Sequence, residues 1–150
     1  MKRCISCLLL FVLMISLIPL NAFAVEKNEE VIYFEDGGYM TISIQELGTR
    51  ASGSKSGTKV ANYYDDDGIL SWKATLSGSF TYTGSSATCT SSSISVTIYN
   101  SAWYTISKSA SKSGATATGT VTMGKKLLGV TVSQITKNLS LTCDKDGNLS

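Results

Sequence analysis

Residues 69–83 read Ile69-Leu70-Ser71-Trp72-Lys73-Ala74-Thr75-Leu76-Ser77-Gly78-Ser79-Phe80-Thr81-Tyr82-Thr83. Leu70, Trp72, Ala74, Leu76, Phe80 and Tyr82 share one parity; Ser71, Lys73, Thr75, Ser77, Ser79 and Thr81 take the other. Successive side chains of a strand point to opposite faces, so this stretch has one apolar and one polar face. A helix would scatter the same set around its circumference. Gly78 interrupts the apolar face midway, where a bend or the close approach of another backbone is expected.

The same period extends in both directions. Residues 31–35 and 39–46 read as strands joined at Asp36-Gly37-Gly38, where glycine accepts the positive φ of a tight turn. Residues 58–65 form a further strand, closed by the turn Asp65-Asp66-Asp67-Gly68. Residues 87–90 are expected as a short strand, Ser91-Ser92-Ser93 as a loop, and 94–98 as another strand with Ile94, Val96 and Ile98 on one face. Strands follow at 103–109 and 115–123, with a turn at Lys112-Ser113-Gly114 between them. Gly124-Lys125-Lys126 reads as a turn, and the final strand runs from about 128 to 143. In that strand Val130 and Val132 have even parity, while Ile135, Leu139, Leu141 and Cys143 have odd parity. The switch near Ser133-Gln134 predicts a β-bulge, an extra residue that resets facing. Alternating strands separated by Gly/Ser/Asp turns, with no helical periodicity, predict an all-β, antiparallel, two-sheet β-sandwich; a small closed β-barrel is the alternative.

Residues 1–24 have a different character. Lys2 and Arg3 precede an apolar run from Ile5 to Ile18, and Ala22 and Ala24 stand at the peptidase-facing positions, the layout of a cleaved signal peptide. The run is short for a helix crossing a hydrocarbon core, which needs about 20 residues. Cleavage after Ala24 is expected, giving a secreted protein that begins at Val25 and has no stable membrane insertion. Removing Lys2 and Arg3 leaves 11 of the 13 Lys and Arg against 11 Asp and Glu, so charge gives no pointer to nucleic acid. The remainder divides into an acidic β-hairpin (25–48), a flexible Gly/Ser linker (49–57) and the sandwich (58–150). The hairpin is expected to join the main sheet through that linker; a separate lobe or a propeptide cut near Arg50 is the alternative.

Composition also limits the chemistry. The chain has no histidine, which removes the usual general base at neutral pH and the commonest zinc ligand. Cys89 and Cys143 are an even pair in an exported domain and read as a disulfide rather than as a nucleophile. Asp144-Lys145-Asp146-Gly147-Asn148 opens like an EF-hand loop, but Leu149 stands where that loop needs glycine, so it reads as a polar turn. Asp65, Asp66 and Asp67 could hold a hard cation weakly, although a solvated turn accounts for them. Thr116, Thr118, Thr120 and Thr122 form one rank of a flat hydroxyl face; ice-binding faces need several ranks, so this reads as a solvated strand face.

Aromatic residues on polar faces are the remaining candidates. Trp72 shares a face with Leu70 and Phe80 and is expected in the core. Tyr39 and Tyr99 oppose the apolar faces of their strands, and Tyr99 with Trp103 is the expected ligand surface, since exposed aromatics stack on sugar rings or contact proteins. The expected function is non-enzymatic, cofactor-free binding of a surface glycan, cell-wall component or extracellular protein. A small antagonistic, bacteriocin-like protein is the alternative.

Arg50-Ala51-Ser52-Gly53, Gly78-Ser79-Phe80-Thr81-Tyr82 with Ala87-Thr88-Cys89, Trp103, and Leu141-Thr142-Cys143 with Gly147-Asn148-Leu149-Ser150 are motifs of a recognisable kind. In these the chain resembles an uncharacterised family of short secreted proteins from Gram-positive, gut-type Firmicutes. The resemblance spans nearly all of the chain after residue 24. It implies export and a β fold, and it brings no activity with it.

Overall fold

The computed structural model describes residues 26–47 and 53–150, with side chains from Glu30 onward. The expected signal segment, with Ala22 and Ala24, lies outside the described residues, as do positions 48–52. Eight strands follow one another: β1 (Glu26–Tyr33), β2 (Tyr39–Leu47), β3 (Ser54–Tyr64), β4 (Leu70–Tyr82), β5 (Ala87–Ile98), β6 (Trp103–Ser113), β7 (Thr116–Leu127) and β8 (Val130–Thr142). They form an antiparallel five-stranded sheet, β1-β2-β3-β4-β5, and an antiparallel three-stranded sheet, β6-β7-β8. The architecture is a two-sheet sandwich and the sheets do not close into a barrel. Each strand pairs with its sequence neighbour, except where the chain turns a corner between β5 and β6.

The apolar parities form the interior, except that a bulge at Ser71 turns Leu70, expected beside Trp72, to the outer face opposite Tyr64. Met40, Ile42 and Ile44 from β2, Ala61 and Tyr63 from β3, and Trp72, Ala74, Leu76 and Phe80 from β4 face Ala117, Val121, Met123, Ile135, Leu139 and Leu141 of the other sheet. Each fully buried large side chain contributes roughly 1.5–3 kcal/mol of transfer free energy. At one end of the sandwich Tyr63 stacks on Trp72 (5.4 Å, 12°), and Trp103 meets Tyr63 edge-on at 5.0 Å. The phenol of Tyr63 donates to Asp36 Oδ2 at 3.0 Å, which ties the β1–β2 turn to this cluster. Burial, then the nearby Asp36 carboxylate, push the Tyr63 hydroxyl far above its ordinary range, so it stays a donor.

Several local expectations need correction. The stretch Ser91-Ser92-Ser93 is a continuous part of β5, paired with Ser79, Gly78 and Ser77 of β4. Pairing skips Thr90, since Phe80 opposes Cys89 and Ser79 opposes Ser91. That bulge lets odd Cys89 and even Ile94 and Val96 share one face. Residues 54–57 of the expected linker belong to β3, paired with Gly78 to Thr81 on one side and, through Ser56 and Gly57, with Leu47 and Glu46 on the other. The hairpin of β1 and β2 is part of the five-stranded sheet, because β2 pairs with β3 along its whole length. Gly124-Lys125-Lys126 is strand rather than turn. The ring of Tyr104 lies across Gly124 where a Cβ would sit, 2.7 Å from that position, so this glycine serves a close approach and the turn comes later, at Leu128-Gly129. The bulge in β8 falls at Val132, between Ser133 opposite Lys125 and Thr131 opposite Lys126, one residue before the expected place.

Gly78 behaves as its position suggests. A Cβ there would meet the ring of Phe80 at 2.7 Å and Ala117 at 3.2 Å, so the missing side chain admits both the ring and the opposite sheet. After β8 the chain doubles back. The Asp144 carboxylate accepts the N–H groups of Asp146 and Asn148, both at 2.8 Å, and the Asn148 side-chain amide at 2.7 Å. Gly147 takes φ 87°, and Leu149 enters the core against Gly57. The residues that resemble a calcium loop are thus spent on a turn that delivers Leu149.

Two outcomes follow. Hydrogen bonds from Asn148, first its side chain and then its backbone, hold the Asp144 carboxyl below its ordinary value. Its contribution to stability is therefore present above the unfolded carboxylate pKa and lost as pH falls through the folded one. Denaturation at neutral pH should show Asp144→Ala less stable than wild type, and a pH series should show the gap narrowing in acid. Separately, Ser71 is fully buried and its Oγ has no hydrogen-bond partner. Urea unfolding of Ser71→Ala should show a gain of about 1 kcal/mol, because an unsatisfied buried hydroxyl is replaced by a methyl.

Candidate functional site

The outer face of the five-stranded sheet carries the polar parities. Register places Tyr33 opposite Tyr39, Tyr39 opposite Tyr64, Thr41 opposite Asn62, and Asn62 opposite Lys73. Three tyrosines therefore align across three adjacent strands. Tyr39 and Tyr64 are stacked (4.8 Å, 10°), and Tyr33 leans on Tyr39 at 6.2 Å and 42°. Offset or tilted rings at these separations attract one another and hold the rings in place.

Beside this ladder the face is concave. Ser43, Thr58 and Val60 point outward yet are buried, because longer side chains stand around them. A shallow open depression of about 380 Å³ lies there, floored by Thr58 and Val60 and bounded by Gln45, Asn62, Tyr64, Lys73 and Tyr99 among others. Among the described residues no carboxylate lines it. Tyr99 is set by a bulge in β4. Pairing skips Ser71, with Tyr63 opposite Trp72 and Tyr64 opposite Leu70. The Ser71 carbonyl then accepts both the Tyr99 N–H (2.9 Å) and the Asn100 N–H (3.0 Å). This anchors the β5–β6 corner and puts Tyr99, 53% exposed, at the rim.

Trp103, the other expected surface residue, is 3% exposed and belongs to the core. It faces inward at the start of β6, packed on Tyr63 and 6.1 Å from Trp72, with the Lys125 ammonium 5.9 Å over its ring. The sequence offered no alternation there, since the rest of β6 is nearly all polar and exposed. Tyr33 and Tyr64 were missed. Tyr63-Tyr64 is an adjacent pair of which one ring must face outward, but only the register shows that it meets Tyr39.

The other candidates resolve differently. Asp65 Oδ1 accepts the Ile69 N–H at 2.8 Å, closing the β3–β4 turn. No group of three His, Cys, Asp or Glu side chains able to hold a metal ion occurs among the described residues. The threonine rank of β7 is flanked by two further ranks, Ser107, Ser109, Ser111 and Ser113 on β6, and Thr136, Asn138, Ser140 and Thr142 on β8. Ser111 pairs with Thr118 at 2.8 Å, Thr116 with Thr142 at 3.0 Å and Thr122 with Thr136 at 3.1 Å, while Thr120 donates to Asn138 at 2.8 Å. These hydroxyls are committed to one another as cross-strand pairs that stabilise the sheet.

Cys89 and Cys143 are both buried in the same core cluster and are held as thiols. Their backbones are tied to consecutive residues, Cys89 N–H to Gly114 O (2.7 Å) and Cys143 N–H to Ala115 O (3.0 Å). Burial raises the pKa of each thiol, so neither is an activated nucleophile.

Comparison with protein-family models, curated proteins and solved structures finds no match to this chain.

Proposed function

We propose that this protein is a secreted, non-catalytic binding module that holds a glycan, either a surface polysaccharide or a cell-wall component, on the outer face of its five-stranded sheet. The observation that carries the reading is the aligned set Tyr33, Tyr39 and Tyr64 beside a depression rimmed by Tyr99 and by amide and hydroxyl groups. Flat aromatic rings match the apolar faces of sugars, and Asn62, Gln45 and Thr75 offer the donors and acceptors that sugar hydroxyls require. The depression is shallow and open, which suits a chain lying across strands better than an enclosed small molecule. Among the described residues its lining lacks the paired carboxylates that hydrolysis of a glycoside would use, which favours holding over cutting.

Export is part of the proposal and rests on residues 1–24. Oxidation of Cys89 and Cys143 goes with it, since two buried cysteines tied to neighbouring backbone positions in an oxidising compartment would join. A small antagonistic protein acting on a neighbouring cell's envelope is the second reading. It rests on a separate observation, the exposed apolar hairpin end of β7 and β8, and growth inhibition of related strains by purified protein tests it.

Three measurements address the main reading. On a glycan and cell-wall array, Tyr64→Ala with Tyr99→Ala should lose about 1–3 kcal/mol of binding through lost area and stacking, with unfolding unchanged because neither ring is core. Undiminished binding would reject this face. Intact-mass analysis of protein from the culture medium should give a chain starting at Val25. Thiol labelling of the same sample, denatured without reductant, should find no reactive cysteine. A retained Met1, or two labels per chain, would count against export or against the bond, respectively.

A further inference from the structure

The β7–β8 hairpin ends in an apolar point. Leu127, Leu128, Val130 and Val132 are all more than half exposed, and Leu128 reaches 97%. Leu127 pairs with Val130, so Leu128 and Gly129 form a two-residue turn with φ 51° and 81°. Such turns favour Asn-Gly, because both central residues need positive φ. Leu128 is the only non-glycine residue with positive φ among those described. A bulky side chain in that region strains the backbone, and here no packing within the molecule compensates for it. A fully solvated leucine in a strained turn serves the isolated fold poorly, so its place at the tip points to a contact outside the molecule.

The surroundings indicate what the point meets. Thr131 bonds its hydroxyl to Tyr104. Immediately behind, Lys126 places its ammonium 4.4 Å over the Tyr104 ring, and Lys125 lies over Trp103. Neither lysine has a carboxylate partner within salt-bridge distance among the described residues. Apolar side chains backed by tyrosine and lysine are the composition of a lipid interface, where rings and snorkelling ammonium groups sit at headgroup level. The whole three-stranded sheet, residues 103–142, holds five lysines and no Asp or Glu. The turns carrying Glu35 and Asp36 and Asp65 to Asp67 belong to the other sheet, and Asp144 and Asp146 follow the end of β8 remote from Leu128. Glu35 and Asp36 lie beside Ser133, Gln134 and Ile135, level with Lys125, which pairs with Ser133. Leu128 extends three residues farther, roughly 10 Å at strand rise. That reach matches the roughly 5–10 Å depth of interfacial insertion. It also sets Glu35 and Asp36 back by about one Debye length at 0.1 M salt.

We propose that Leu127, Leu128, Val130 and Val132 dip into an anionic lipid bilayer, with Lys125 and Lys126 at its phosphate level, giving reversible peripheral attachment on a surface separate from the tyrosine face. The contact is weak by design of its size, one hairpin end rather than a spanning segment.

Vesicle sedimentation tests this, using protein recovered from culture medium with its N-terminus defined by mass. The protein should bind vesicles of phosphatidylcholine with one-quarter phosphatidylglycerol better than pure phosphatidylcholine, and less at high salt. Leu128→Asn should weaken binding roughly ten-fold, the scale expected for withdrawing one leucine side chain from an apolar phase. Lys125→Gln with Lys126→Gln should remove the preference for the anionic vesicles. Leu128→Gly should lose binding equally while raising the melting temperature by a few degrees, because it relieves the positive-φ strain. Binding that is absent, or that Leu128→Asn leaves unchanged, overturns the proposal. So does Leu128→Gly melting lower than wild type, since the leucine would then serve the fold. Self-association in place of vesicle binding, abolished by Leu128→Asn, would assign the point to a second copy and likewise overturn it.

Discussion

The contact between Tyr63, Trp72 and Trp103 is the interaction on which the rest of this structure depends. Tyr63 and Trp72 come from paired strands of the larger sheet, and Trp103 opens the first strand of the smaller one. The corner between the sheets is only a few residues long, so where Trp103 docks decides how β6 starts and which side of the larger sheet stays free. With the rings packed inward, the opposite parity of β2, β3 and β4 has to face solvent. The tyrosine ladder is thus the other side of the same alternation that builds the core.

The two faces of that sheet carry different information. The inner face follows from hydrophobic transfer and needs only the period of two, which 69–83 displays clearly. Its strands, the sandwich, the Asp36-Gly37-Gly38 and Asp65-Gly68 turns, and the place of Trp72 were therefore legible in the sequence. A bulge near Ser133 was legible too, since odd and even apolar residues within one strand require an extra residue. The same reasoning applies to Cys89 and Ile94, but three serines in a row suggested a loop and concealed a continuous strand. Serine carries no signal strong enough to separate strand from connector when neighbouring strands supply the pairing.

The outer face depends on register, which is a relation between segments. Tyr39 could be placed on a polar face by itself. That it meets Tyr33 and Tyr64 is set by pairing across three strands, and Tyr99 reaches the rim because a carbonyl at a bulge in β4 holds the corner. Trp103 was misread for a related reason. A residue that begins a strand with exposed polar positions after it has no alternation to mark its side, and only the opposite sheet shows that it is covered. Gly124 gave the converse error: a glycine followed by two lysines looks like a turn, yet the glycine admits the ring of Tyr104 and the strand continues.

The delivery of Leu149 into the core beside Gly57 has a temporal consequence. A chain that emerges N-terminus first, from a ribosome or through a membrane pore, can pair β1 with β2 and then β3 as each appears. Its interior stays open at one end until residue 149 has also emerged, because that side chain fills a site between strands laid down some ninety positions earlier. Full closure is thereby postponed until the turn after β8 has emerged, so early segments would remain unlocked until then and the domain would become cooperative only afterwards.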